Sequence, residues 1–264
     1  MCGRFSLTAT PREVQEPFGL EEIEDFPARY NIAPTQPILI VAADRPRAEG
    51  DNRTDRRALL ARWGLLPGWV KDPADFPLLI NARAETAAEK ASFRTAMRHR
   101  RVLIPASGFY EWHRPPKVSK QKSTPYWIRP TGGGIVAFAG LMETYMSPDG
   151  AEIDTAAILT VGPNREMAPI HDRMPVVIAP EDFARWLDCL NQEPRHVADL
   201  MVPAADGCFE AVRVSDLVNK VANTGPEVQK PATGPEPDAI PARAAQKPKK
   251  AKPADSAPDQ MKLF

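Results

Sequence analysis

The sequence RRVLIPASGFYEW, residues 100–112, predicts a long β-strand, because valine, isoleucine and aromatic residues are concentrated in it. Five further runs have the same character and are bounded by glycine, proline or polar clusters. They are PILIVAA (37–43), PYWIRP (125–130), GIVAFAGLM (134–142), AAILTV (156–161) and MPVVIA (174–179). Strands that do not alternate regularly with helices favour a compact α+β domain over a doubly wound sheet.

Three helices are predicted between these strands. TPRE (10–13) is a capping box with proline at the first helical position. A second helix is expected over residues 86–99, opening at another capping box, TAAE. The third covers 180–190 and places an apolar stripe on one face, formed by Phe183, Trp186, Leu187 and Leu190.

Composition indicates a globular protein with one folded unit. The 264 residues are 43% hydrophobic, enough to bury a substantial core. No apolar run reaches the length that crosses a bilayer, and no basic region with an apolar stretch marks a secretory signal. The three separated cysteines predict no disulfide framework and fit a reducing cytoplasm.

Net charge and the spacing of the histidines limit which ligands the chain is expected to bind. The 34 basic and 34 acidic residues cancel, so any DNA binding would need locally clustered arginines. The four histidines are isolated, and neither CxxC nor HExxH spacing occurs. We therefore expect neither a metal nor another cofactor.

The composition changes near residue 225. Residues 226–264 are rich in proline, alanine and lysine, with no aromatic residue before Phe264. Such a segment buries too little apolar surface to offset chain entropy, so it predicts a disordered tail. The folded domain is expected over residues 2–225.

Four polar stretches contain candidate catalytic residues: Cys2 in MCGRF, Asn81 in NARAET (81–86), Glu111 in GFYEW (108–112) and His171 in PIHDRMP (169–175). Each also has a structural interpretation. Asn81 would cap a helix, Glu111 would lie on a solvated strand face, His171 would be a hydrogen-bonded structural residue, and Cys2 would be incidental. Local sequence alone leaves these alternatives open.

These stretches, in this order, closely resemble the SOS response-associated peptidase family, also called the SRAP domain. Its signature blocks are similar to MCGRF, YNIAPTQ (30–36), RWGLLPGW (62–69), NARAET, RRVLIPASGFYEW, FAGLME (138–143), ILT (158–160), IHDRMPVVI (170–178) and VSDLVNKVANTGPE (214–227). The loop VGPNRE (161–166) departs from the alanine-rich loop often found there. The resemblance implies a β-rich, barrel-like antiparallel core with a few peripheral helices.

The resemblance also implies covalent capture of abasic sites in single-stranded DNA. Once Met1 is removed, Cys2 carries both an α-amine and a thiol, which together convert an aldehyde into a thiazolidine. Asn81, Glu111 and His171 are expected around that terminus. Asn81 would orient the amine, Glu111 would move protons, and His171 would assist sugar opening or strand elimination. An imine intermediate also permits a lyase side reaction.

Single-stranded DNA is expected to bind arginines beside this site, through their phosphate contacts. The residues expected to line the groove are Arg4, Asn31, Pro34, Trp69, Arg83, Trp112 and Arg173. Trp69 would stack on a base or wedge a duplex end, unless it is a core tryptophan.

Two alternative functions remain at this point. The terminal cysteine would serve peptide cleavage, including removal of Met1, or the domain would only bind single-stranded DNA. The last residues, QMKLF (260–264), resemble the bacterial sliding-clamp-binding motif through Gln260, Leu263 and Phe264. We therefore expect the replication clamp as a second partner. We also expect a cytoplasmic protein, associated with the nucleoid if the source is bacterial.

Overall fold

A computed structural model describes residues 2–44, 55–115 and 122–233. The strands in these ranges are β1 (Phe5–Leu7), β2 (Arg29–Ile32), β3 (Pro37–Ala43), β4 (Arg56–Trp63), β5 (Asn81–Arg83), β6 (Arg101–Ala106), β7 (Gly108–His113), β8 (Thr124–Pro130), β9 (Val136–Met146), β10 (Glu152–Val161), β11 (Met174–Pro175), β12 (Val177–Ile178) and β13 (Phe209–Arg213). The α-helices are α1 (Pro11–Phe18), α2 (Ala84–Ala87), α3 (Arg94–His99) and α4 (Phe183–Leu187). Short 3-10 helices cover Pro73–Asp75, Pro180–Asp182, Pro194–Leu200, Asp216–Asn219 and Pro226–Gln229.

Five strands close into a barrel. The order β10–β4–β3–β6–β9 returns to β10, because β10 pairs with both β4 and β9. The pairing of β10 with β4 is parallel, and the other pairings of this ring are antiparallel. The expected α+β fold with a barrel-like core and few helices is confirmed, with this one parallel pairing inside the ring.

A second, antiparallel sheet has the order β13–β8–β7–β1–β2. The single strand predicted over residues 100–112 is wrong here, because the run divides between the barrel (β6) and the second sheet (β7) at Ser107. The Ser107 hydroxyl accepts hydrogen bonds from the backbone N–H groups of Thr8 and Ala9, which fixes the crossing. At Gly108, a Cβ atom would lie 2.6 Å from the backbone oxygen of Ile128, so the crossing requires glycine.

Aromatic side chains join the two sheets into one core. Phe5 of β1 lies edge-on to Trp63 and Phe138 of the barrel, with centroid separations of 5.2 and 6.1 Å. Phe109 of β7 contacts Phe138 in the same manner at 5.9 Å. The first residues of the chain are therefore held where the barrel meets the second sheet.

The folded unit extends beyond the expected boundary at residue 225. Val228 is fully buried and packs with Val214, Val218 and Tyr110 against the second sheet. A bridge between Val214 and Pro231 closes this segment. These apolar residues bury surface that the composition did not indicate, so residues 226–231 pack with the folded domain. The expected disordered tail beyond residue 233 lies outside the described residues.

Two predicted helices are shorter than expected, while the first has the predicted capping box at Thr10. In place of the helix predicted over 86–99, the chain forms α2 (Ala84–Ala87) and α3 (Arg94–His99), separated by turns. Thr86 lies inside α2 and does not cap a helix. In the 180–190 segment the helix ends at Leu187, because the Asp188 carboxylate accepts from the following backbone N–H groups. Leu190 is consequently 76% exposed and not part of the apolar stripe. No helix in the described ranges has the length and apolar character needed to cross a membrane.

Candidate active site

Cys2 is buried and precedes β1, which lies between β7 and the edge strand β2 of the second sheet. Its Sγ–H donates to the Arg4 carbonyl at 3.7 Å, and the same oxygen accepts from the Tyr110 backbone N–H at 2.9 Å. Burial raises the pKa of the Cys2 thiol, and the negative charge of Glu111 raises it further. The sulfur is therefore a neutral thiol at pH 7 in the full-length chain.

Asn81 reaches Cys2 from the barrel. It opens β5, which pairs in parallel with the end of β10, and its Nδ2 donates to the Cys2 carbonyl at 2.8 Å. It does not cap a helix, because α2 begins after Arg83. Its Oδ1 is buried and has no hydrogen-bond partner in the described part of the chain. An unpartnered acceptor thus belongs to the same side chain that donates to the Cys2 carbonyl.

Glu111 lies on β7 and is 3% exposed, so it does not occupy a solvated strand face. Burial raises its pKa to about 7, because the charged form loses its hydration. A carboxyl group with this pKa exchanges protons readily near neutral pH.

His171 stands opposite Glu111, in the loop between β10 and β11. Its Nε2 is 3.9 Å from a Glu111 carboxyl oxygen, and its Nδ1 accepts from the Arg173 backbone N–H at 3.1 Å. The Asp172 carboxylate lies 3.2 Å from the same Nδ1. Burial lowers the pKa of His171 to about 4, so the ring is neutral at pH 7. The bond from Arg173 then leaves the ring proton on Nε2, which faces Glu111.

The predicted arginines differ in their availability. Arg83 is exposed at the end of β5. Arg173 forms a bidentate ion pair with Glu85 and also donates to the Thr160 carbonyl, and its side chain is 13% exposed. A phosphate contact by Arg173 would compete with this pair.

Arg4 is directed inward, and Asn31 lies beneath it. Arg4 donates to Asn31 Oδ1 at 2.7 Å and to the Val218 carbonyl at 2.8 Å. Asn31 is 3% exposed, and its Nδ2 donates to the carbonyls of Val218, Lys220 and Asn223. Its side chain therefore anchors the C-terminal segment, and its proposed contact with DNA stays a prediction.

The remaining candidates lie at or near the surface. Trp69 is 59% exposed and packs edge-on to Phe76, so it is not a core tryptophan. Trp112 is half-buried under the Arg4 guanidinium and donates to Asn219 through Nε1. Pro34 is also half-buried. Gln260, Leu263 and Phe264 lie outside the described residues.

Sequence reasoning overlooked Glu85. This residue lies in the NARAET stretch, two positions after Arg83, and an acidic residue in the first turn of a helix was its only signal. Among the described residues, no group of three or more histidine, cysteine or acidic side chains is placed to hold a metal ion.

Comparison with known proteins gives one consistent result. The sequence model of the SOS response associated peptidase (SRAP) family matches residues 1–221. The chain is 38% identical to abasic site processing protein YoqW of Bacillus subtilis over 231 residues, which cover 86% of this chain and 98% of that protein. It is 32% identical to abasic site processing protein YedK of Escherichia coli, covering 88% of this chain and 100% of the relative.

More distant similarity extends to animals and to solved structures. Abasic site processing protein HMCES of the mouse is 29% identical, with 88% of this chain and 76% of HMCES covered. A crystal structure of a protein from Bacteroides thetaiotaomicron superposes with a TM-score of 0.74 at 23% identity, covering 88% of this chain and all of the other. That likeness shows the shared fold.

Proposed function

The chain belongs to the SOS response-associated peptidase family, and from this premise we propose that it processes abasic sites in DNA by covalent capture through Cys2. Its relatives YoqW, YedK and HMCES carry the name abasic site processing protein. The proposed substrate is single-stranded DNA containing an abasic sugar, and the proposed product is a thiazolidine that joins the sugar to the protein.

The observation that carries this proposal is the meeting of two elements at Cys2. Asn81, from the barrel, donates to the Cys2 carbonyl. From the second sheet, the backbone N–H of Tyr110, the residue before Glu111, donates to the same Arg4 carbonyl that accepts from the Cys2 thiol. The unpartnered Oδ1 of Asn81 supports a role in receiving the α-amine that removal of Met1 would expose. A non-catalytic binding module would not need a buried, titratable carboxyl group at this point.

The chemistry uses both groups of the processed cysteine. The neutral α-amine, with an ordinary pKa of about 7.7–8.0, attacks the aldehyde carbon of the opened sugar. The carbinolamine loses water and becomes an imine, and sulfur then adds to the imine carbon while the thiol proton passes to nitrogen. One water is released overall. Ring closure makes the link durable, because an imine alone would hydrolyse.

Proton transfer is the step for which Glu111 is suited. The raised pKa of the thiol means that sulfur does not add as a preformed thiolate, so its proton has to leave during ring closure. Glu111, with a pKa of about 7, acts as the acid for water loss and as the base for the thiol. A lyase side reaction would start from the same imine intermediate.

His171 is proposed as a hydrogen-bond donor to the sugar. Because its pKa is about 4, it is not an imidazolium near pH 7, and full proton donation to a leaving oxygen is disfavoured. The neutral ring instead presents Nε2–H towards Glu111. That donor would stabilise an oxygen of the opened sugar.

DNA is proposed to approach along the exposed residues near β5. Arg83 offers a guanidinium to phosphate, and Trp69 offers an aromatic face to a base. Because the chain has no net charge, binding is expected to be modest and to weaken as salt increases.

A crosslinking assay tests the proposal. Purified protein, with loss of Met1 verified by intact mass, is incubated with an abasic single-stranded oligonucleotide and compared with Cys2→Ala. We expect a denaturation-resistant adduct only when Cys2 is present. Reversible binding without an adduct would favour the binding module, and turnover of peptides without an adduct would favour the peptidase.

The C-terminal motif is a separate proposal, and its residues lie outside the described structure. A glutamine followed by a leucine–phenylalanine pair would place two apolar side chains in a clamp pocket. We expect the full chain to bind the bacterial sliding clamp and a Leu263→Ala/Phe264→Ala variant to lose that binding. Equal binding by the two proteins would remove the clamp as a partner.

A further inference from the structure

We propose that Glu85 is a positioning residue for His171, acting through Arg173 to hold the imidazole with its proton on Nε2. Glu85 contacts neither Cys2 nor His171 directly. The geometry that supports this role links helix α2, the end of strand β10 and the loop that carries His171.

The first link is the ion pair between Arg173 and Glu85. Arg173 Nη1 lies 2.5 Å from Glu85 Oε1, and Nη2 lies 2.8 Å from Oε2, which is bidentate geometry. Nη2 also donates to the Thr160 carbonyl on β10. The planar guanidinium therefore has little freedom, although Glu85 itself is 54% exposed.

The second link is the Arg173 main chain. Its N–H donates to His171 Nδ1 at 3.1 Å, which requires that nitrogen to be unprotonated in the neutral ring. Nε2 then carries the proton and faces Glu111 at 3.9 Å. When the Arg173 side chain is held in place, its backbone N–H is held in the position that selects this tautomer.

The alternative tautomer of His171, with its proton on Nδ1, shows why the Arg173 main chain has to be held in place. The Asp172 carboxylate lies 3.2 Å from His171 Nδ1, and the Arg173 carbonyl lies 3.3 Å from it. Both oxygens would accept a proton carried on Nδ1, leaving Nε2 as an acceptor. Without the Glu85–Arg173 pair, the loop is free to adopt this alternative, which turns a lone pair towards Glu111 and the sugar.

The position of Glu85 also links two parts of the site. It follows Asn81 by four residues, across the short strand β5 and into α2. Through Arg173, the element that holds Cys2 is tied to the loop that holds His171. A misplacement of about 1 Å in such an arrangement costs roughly 100-fold in rate.

The test compares Glu85→Ala with Glu89→Ala, which removes an exposed acid four residues further along the same segment. In histidine labelled with ¹⁵N, nitrogen–proton NMR correlations at pH 8 report which ring nitrogen of His171 is protonated, and His171→Gln identifies the signal. We expect one tautomer with the proton on Nε2 in wild type and Glu89→Ala, and a mixture in Glu85→Ala. Glu85→Asp, which keeps a carboxylate, is expected to restore most of the Nε2–H form.

The rate of crosslinking is the second readout, and it rests on the proposed function. At saturating abasic DNA, Glu85→Ala is expected to be about 10- to 100-fold slower, with the half-saturating DNA concentration little changed. An unchanged tautomer in folded Glu85→Ala would overturn the proposal, as would a mixture that Glu85→Asp leaves uncorrected. The tautomer is measured without DNA, so a wild-type protein that forms no adduct would contradict the proposed function and not this inference.

Discussion

At the scale of single residues, burial shifts Glu111 and His171 in opposite directions. The pKa of Glu111 rises to about 7 and that of His171 falls to about 4, because each group loses hydration of its charged form. Near pH 7 the pair consists of a half-protonated carboxyl facing a neutral imidazole. This arrangement suits proton exchange better than a fixed ion pair would.

Replacing Glu111 by glutamine should slow crosslinking by roughly 10²–10⁴-fold, because the amide neither donates nor accepts the transferred proton. Single-turnover kinetics on an abasic oligonucleotide measures the change. Glu143→Gln is the control, since Glu143 is also largely buried but pairs with Arg100 away from Cys2. Equal rates for wild type and Glu111→Gln would exclude Glu111 from proton transfer.

The same substitution should stabilise the protein at high pH. In the folded protein the pKa of Glu111 is about 7, above its ordinary value of 4.5. The contribution of Glu111 to the unfolding free energy is therefore fully present below pH 4.5 and is lost as the pH rises towards 7. Glu111→Gln lacks this loss, so its unfolding free energy should exceed that of wild type by up to about 3 kcal/mol at pH 8. Denaturant unfolding at pH 4 and pH 8 measures the difference in unfolding free energy between Glu111→Gln and wild type. An equal difference at the two pH values would contradict the prediction.

At the scale of elements, the crossing from β6 to β7 determines where Glu111 lies. Residues 101–106 belong to the barrel, and residues 108–113 belong to the second sheet. The change of sheet turns the end of the run towards Cys2, which precedes the neighbouring strand β1. A continuous strand would have kept Glu111 in the barrel wall.

Gly108→Ala should lower the unfolding free energy by about 1–3 kcal/mol, because the new methyl group would overlap backbone at Ile128. Gly132→Ala is the matched control, since a Cβ there meets no atom within 4 Å. Urea unfolding of both variants measures the difference. Indistinguishable midpoints for the two alanine variants would mean that the crossing tolerates a side chain.

At the scale of the whole molecule, the C-terminal segment packs against the second sheet and is bonded to the N-terminal part of the chain. Residues 214–231 pack on the second sheet around Tyr110, and Asn31 donates to three of their carbonyl groups. Asn31 also accepts from Arg4, two residues after Cys2. The two ends of the folded unit are therefore joined at Arg4, two residues after the candidate nucleophile.

Asn31→Ala should destabilise the fold by about 2–3 kcal/mol, because several buried polar groups lose their partner at once. Asn223→Ala removes a single, exposed side-chain hydrogen bond to the Leu217 carbonyl and should cost about 1 kcal/mol or less. Thermal and urea unfolding of both proteins provides the comparison. A loss of DNA binding by Asn31→Ala with no loss of stability would instead support a direct contact between Asn31 and DNA.

The sequence by itself determined the class of fold, most strand positions and the candidates Cys2, Asn81, Glu111 and His171. Strand composition and capping residues are local properties, and the family blocks are long enough to be distinctive. Only the tertiary structure decided that Asn31 is buried, that Arg173 pairs with Glu85, and that residues 100–112 divide between two sheets. These outcomes depend on contacts between segments up to roughly 190 residues apart, such as Asn31 with Asn223, and no local pattern encodes which distant carbonyl or carboxylate a side chain will meet.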